Sequence, residues 1–180
     1  MLNYQVTENE QQGEGFDERV IEIARVAKVV KGGRRFQFRV TLIMGDNKGK
    51  VGMGVGKANA VPDAMRKATD RARKDMHDIH LSKTTIPHQS TAKVGGSVVL
   101  LKPASPGTGV IAGGGVRAVL EAVGIHDILT KSLGSSNVLN SVQATLHALD
   151  ALKSPQEEAA RRGKSVDDLL PYWERRKKHG

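Results

Sequence analysis

Between residues 19 and 57 the chain gathers ten cations, Arg19, Arg25, Lys28, Lys31, Arg34, Arg35, Arg39, Lys48, Lys50 and Lys57, against two acids, Glu22 and Asp46. A double glycine, Gly32-Gly33, sits inside the densest part, between Lys31 and Arg34. Cationic side chains around a glycine turn are suited to neutralising phosphates, because the glycine amides can also approach an oxyanion. The whole chain of 180 residues carries 28 Lys and Arg against 19 Asp and Glu, so its field favours polyanions, nucleic acid first. Six aromatics, Tyr4, Phe16, Phe36, Phe38, Tyr172 and Trp173, are too scattered to stack bases. Phosphate and shape contacts are the recognition that remains.

Other constellations fail on context. Gly107-Thr108-Gly109-Val110-Ile111-Ala112 fits the loose dinucleotide pattern G-x-G-x-x-G/A. No acidic-ended second strand follows about 20 residues on, and roughly 80 residues cannot hold a doubly wound sheet. His77 and His80 would offer a two-ligand metal edge, but no third ligand stands at a matching spacing, so a helix-end surface cluster is expected. Zero cysteines exclude a disulfide framework, a thiolate metal site and a cysteine nucleophile. No P-loop and no nucleophile-elbow frame is found. The reading is a binding protein, not an enzyme, with no metal and no cofactor.

The elements that must position these residues follow from periodicity. Val20 to Val30 is β-branched-rich, Lys31 to Arg35 turns, and Phe36, Phe38, Val40 and Leu42 alternate with Gln37, Arg39 and Thr41, giving a second strand. Gly45-Asp46-Asn47-Lys48-Gly49 turns again, and Lys50 to Gly56 returns as the third strand of an antiparallel meander. Pro62 opens a helix whose Val61, Ala64, Met65, Ala68, Ala72 and Met76 form an apolar stripe. Its charged face, Arg66, Lys67, Arg71, Arg73 and Lys74 beside Asp63, Asp70 and Asp75, reads as a solvated surface.

A boundary falls near Leu81, ahead of Ile86-Pro87. Beyond it the chain is poorer in charge and reads β-α-β-α: a strand over 94–102, a glycine loop, a helix over 113–123, a strand over 128–131, and a helix capped by Asn137 that runs to Lys153. Ser154-Pro155-Gln156-Glu157 starts another helix, with Ser165 and Asp168 a weaker start. The expected division is an acidic arm over 1–15, domains over 16–81 and 82–155, and a helical and basic tail over 156–180. The acids of the first 18 residues, Glu8, Glu10, Glu14, Asp17 and Glu18, oppose a signal peptide, and no run approaches the ~18 apolar residues of a membrane helix, so a cytoplasmic protein without membrane contact is expected.

Long ordered segments carry a resemblance. Arg25 to Phe36, Gly49 to Ala58, Lys102 to Glu121, Gly134 to Asn137 and Arg161 to Val166 resemble the bacterial small-subunit ribosomal protein S5 family, over about residues 16–170. The resemblance implies an α+β protein of two domains, an N-terminal double-stranded-RNA-binding-like antiparallel sheet plus helix and a C-terminal β-α-β-α domain. It implies a structural constituent of the ribosome that binds small-subunit ribosomal RNA near the decoding region and supports accuracy. The implied protein partners are S4 and S8, along the messenger RNA entry path. Arg25, Lys28, Lys31, Gly32, Gly33, Arg34, Arg35, Lys50 and Lys57 become RNA-binding candidates, and the segment from Lys28 to Arg35 falls on the family's loop near the spectinomycin site. Gly107, Gly109, Val110, Ile111, Gly113, Gly114 and Arg117 fall on its S4 contact. Gly115 departs from relatives that have alanine there.

Overall fold

The computed structural model describes residues 15–169 and Trp173; the acidic arm before Gly15 and the basic run over 175–178 lie outside the described residues. Strands β1 (Asp17–Val30), β2 (Gly33–Gly45) and β3 (Lys50–Ala58) form the expected antiparallel meander, followed by α1 (Val61–Lys74) and a three-residue β4 (Met76–Asp78). The sheet order is β1-β2-β3-β4. A bulge at Ile21 shifts the β1–β2 register, so that Val20 and Ile23 can both share the α1 side with Leu42 and Val40.

Val40, Leu42 and Met44 are fully buried and pack with Ala58, Ala64, Ala68 and Ala72. The α1 contact is backbone on backbone. Gly52, Gly54 and Gly56 lie under Ala72, Ala68 and Ala64 in that order, and a β-carbon on Gly54 would stand 1.8 Å from the Ala68 carbonyl oxygen. Every fourth residue of a helix advances about 6 Å and every second residue of a strand about 6.6 Å, so the alanine and glycine series stay in step over two repeats. The helix ends at Asp75, whose amide returns to the carbonyls of Ala72 and Arg71, and Met76 begins β4 instead of extending the apolar stripe.

The second sheet has the order β5-β6-β8-β7, from β5 (Ser90–Val94), β6 (Ser97–Pro103), β7 (Val110–Ile111) and β8 (Ile128–Gly134). Helices α2 (Gly114–Val123) and α3 (Val138–Asp150) complete the layer, and α4 (Pro155–Arg162) and α5 (Val166–Leu169) follow. The β-α-β-α order holds with two strands added. The expected strand over 94–102 is instead a hairpin turning at Gly95-Gly96, and β7 pairs in parallel with β8. Asn137 caps α3 by accepting from the Asn140 amide at 3.1 Å. Ser154 sits at the start of α4, but its hydroxyl binds the Gln156 side chain at 2.8 Å and not a backbone amide. At the weaker signal, Ser165 does accept from the Asp168 amide, at 3.3 Å.

The two layers are joined by a shared core and by backbone hydrogen bonds. Ile43 and Val51, on the face of the first sheet opposite α1, are buried with Val119, Val123 and Ile125. The β2–β3 turn serves as the cap of α2: Asn47 and Gly49 amides donate to the carbonyls of Ala122 and Val123 at 3.0 and 2.9 Å. Arg19 adds an ion pair to Glu121. Among the described residues no helix is long and apolar enough to cross a membrane.

Candidate nucleic-acid interface and the glycine loop

The first sheet runs out beyond α1 as a two-stranded ribbon. From Ala27 to Phe36 the residues are exposed, apart from half-buried Val30, and the loop at the tip is only Lys31-Gly32. Gly32 and Gly33 have φ of +90° and +154°, and a β-carbon at either would meet nothing within 4 Å. The glycines are therefore required by backbone conformation and not by packing within the chain.

Pairing decides which cations act together. Lys28 stands directly opposite Arg35, and Arg34 opposite Val29. Opposed residues of an antiparallel pair share a face with β-carbons about 5 Å apart, so Lys28 and Arg35 repel each other. None of Lys28, Lys31, Arg34 and Arg35 has an acidic partner among the described residues. Arg25 is different: its guanidinium lies 4.0 Å from the centre of the Phe36 ring, which fixes the base of the ribbon. Lys57 is exposed opposite Arg39, one strand inward, while Arg39 itself binds Glu22 at 3.3 Å.

Lys50 does not belong to this cluster. It follows the β2–β3 turn at the opposite end of the sheet, roughly 40 Å along β2 from the tip, and its ammonium lies 3.6 Å from Asp78. Sequence closeness placed it with the others, and the strand reversal separates it. The expected helix-end histidine pair is also divided: His77 lies on β4 between Asp75 and Asp150, with His80 beyond the strand. No group of three metal-ligating side chains occurs among the described residues.

Residues 107–117 form one continuous segment: a loop, the edge strand β7 and the start of α2. Gly113 is the cap of α2, Gly114 its first residue and Arg117 is exposed. Two neighbouring apolar residues differ in exposure. Ile111 is 52 % exposed, whereas Val110 packs against the chain's own core and needs no partner to cover it. Gly107 and Gly109 shape the loop with φ of +89° and +77°. The Gly109 amide donates at 3.0 Å to the buried Asp127, which nothing in the sequence pattern singled out. Hydrogen bonds from the Gly109 amide first, then from the Thr84 hydroxyl and the amides of Gly107 and Thr108, hold its carboxyl below the ordinary aspartate range against the opposing effect of burial.

Family models bear on both halves of this architecture. "Ribosomal protein S5, N-terminal domain" matches residues 16–80 and "Ribosomal protein S5, C-terminal domain" matches residues 92–162. The chain belongs to the ribosomal protein S5 family. A curated relative, "Small ribosomal subunit protein uS5" of Marinobacter nauticus, is 50 % identical over 162 residues, which is 90 % of this chain and 98 % of the relative. As an S5 family member the chain is a structural, non-enzymatic constituent of the small ribosomal subunit, bound to the ribosome in the cytoplasm.

Proposed function

We propose that this S5 chain binds small-subunit ribosomal RNA through the tip of the β1–β2 ribbon, near the decoding region, and meets S4 through residues 107–117. Contact with S8, a place along the messenger entry path and support of accuracy belong to the same reading, and for these the family resemblance is the support. The observation that carries RNA binding is the direct opposition of Lys28 and Arg35 on an exposed ribbon without acidic partners. Such a pair weakens the isolated hairpin, and a phosphate between or beside the two cations relieves it. Shape and backbone contacts of this kind require no aromatic platform.

The test is sedimentation. The full chain, added to small subunits lacking it, is expected to travel with them at high salt. Loss of the chain at high salt, with retention on free RNA of any sequence, would favour a loosely bound RNA regulator.

Ile111 provides a second measurement. On the uncovered side of the second sheet it lies directly beside Leu129, and Leu133 follows on the same side of β8; all three are exposed. Ile111→Asp should weaken S4 binding by about 1–3 kcal/mol, through a charge desolvated without a partner, while the fold and RNA affinity stay close to normal. Val110→Asp should lower the unfolding midpoint instead. Undiminished S4 affinity in Ile111→Asp would remove this surface from the proposal.

A further inference from the structure

The loop Gly107-Thr108-Gly109 has the form of an anion cradle, and its anion is supplied by the chain. Asp127 is only 5 % exposed, at the entrance to β8. One carboxylate oxygen accepts from the Gly109 amide at 3.0 Å, with the Gly107 amide and the Thr84 hydroxyl acting on the carboxyl from nearby, while the Thr108 amide turns back to the Ser105 carbonyl at 3.2 Å. Among the described residues no cation forms an ion pair with it. A buried carboxylate without a counter-charge depends on such donors, and the loop presents the Gly109 amide to it by visiting positive φ. Gly107 and Gly109 provide that conformation, and a β-carbon at either would touch nothing. The glycines therefore serve the cradle, not a close approach by another element.

The same few residues set β7. The Ile128 amide donates to the Gly109 carbonyl at 3.1 Å, and the Thr130 hydroxyl to the Ile111 carbonyl at 3.0 Å. The Asp127 amide is tied to the Thr84 carbonyl at 3.0 Å. A rigid carboxylate at 127 thus fixes the loop whose next residues are Val110 and Ile111.

We infer that Asp127 is a positioning residue: an internal anion that shapes residues 107–109, holds edge strand β7 in its docking geometry, and fills the cradle a phosphate would otherwise enter. This rests on the reading of residues 107–117 as the S4 contact. It also gives the physical reason that the G-x-G-x-x-A pattern here is not a nucleotide site, since its donors are already occupied.

The experiment uses the full chain as Asp127→Ala, which empties the cradle, and Asp127→Asn, which keeps its volume and removes the charge. The readouts are the amide resonances of Gly107, Thr108 and Gly109, S4 affinity, and the response of both to sodium acetate. In the native chain the three amides should ignore acetate. In Asp127→Ala they should move and titrate with acetate, and S4 affinity should fall roughly tenfold and partly return as acetate fills the cradle, which simple loss of stability would not produce. If the alanine variant does not fold, the asparagine variant decides by its loop resonances and its S4 affinity. Unmoved resonances, or moved resonances with unchanged S4 affinity, would overturn the inference. Ile111→Asp run in parallel separates the two failures: if it weakens S4 binding and the Asp127 variants do not, only the role of Asp127 is lost, and if neither does, the contact surface itself is lost.

Discussion

Gly54→Ala is expected to destabilise the chain by about 3 kcal/mol or more, lowering the melting midpoint by roughly 6–12 °C. The added methyl would stand 1.8 Å from the Ala68 carbonyl oxygen and 2.7 Å from the Ala72 nitrogen, both backbone atoms of α1. No rotamer relieves the overlap. The helix must lift from the sheet, and because Gly52 and Gly56 meet Ala72 and Ala64 in the same way, lifting at one step opens all three. Val40, Leu42 and Met44 would then lose the alanine face that covers them. Against a total stability of about 5–15 kcal/mol for a typical domain, that is a large fraction. Gly114→Ala is the control, since a β-carbon there meets nothing and alanine suits a helix. Urea denaturation of the two variants checks the prediction, and equal midpoints would mean that α1 does not rest on β3 as described.

That packing shows what the sequence offers and what it hides. The alternation from Phe36 to Leu42 and the stripe from Val61 to Ala72 locate β2 and α1, because each follows from the period of a single element. The glycine series 52, 54, 56 and the alanine series 64, 68, 72 are equally plain, but their meeting belongs to two elements at once, and neither period announces it. The join between the layers is less visible still, since the amides of Asn47 and Gly49 on the carbonyls of Ala122 and Val123 are backbone contacts with no side-chain signature. Strands β4 and β7, of three and two residues, are too short for a period to show. Ser90-Thr91-Ala92-Lys93 reads as polar chain, although Ala92 packs against the core and Ser90 is buried and donates to the Ala148 carbonyl at 2.7 Å. Of the candidate site, the ribbon's charge and its glycines are legible. The grouping of those charges is not, because Lys50 and Lys57 are separated by strand direction. Asp127 is an isolated acid in the sequence, and only the fold brings the Gly109 amide to it.

The larger functional effect is expected from removing the ribbon's four unpaired cations together. Lys28, Lys31, Arg34 and Arg35 are exposed around a two-residue loop, within one short ribbon end. If each neutralises one phosphate, the quadruple alanine variant should lower the salt slope of binding to small-subunit ribosomal RNA by about 3 units, at 0.7–0.9 per contact, and weaken binding by about a thousandfold at physiological salt. Stability should move the other way. The Lys28–Arg35 pair costs about 0.2–1 kcal/mol by repulsion across the strands, so its loss should leave the chain folded and slightly more stable. That opposite movement separates a charge pair kept for RNA from a hairpin solvated for its own sake, in which neither slope nor affinity would change. Lys50→Ala is the positional control: bound to Asp78 at the far end of the sheet, it should leave the slope as it was. A folded quadruple variant with an unchanged slope would show that the ribbon does not meet the RNA backbone, and an effect in Lys50→Ala of the same size would show that overall charge, not the ribbon's geometry, governs binding.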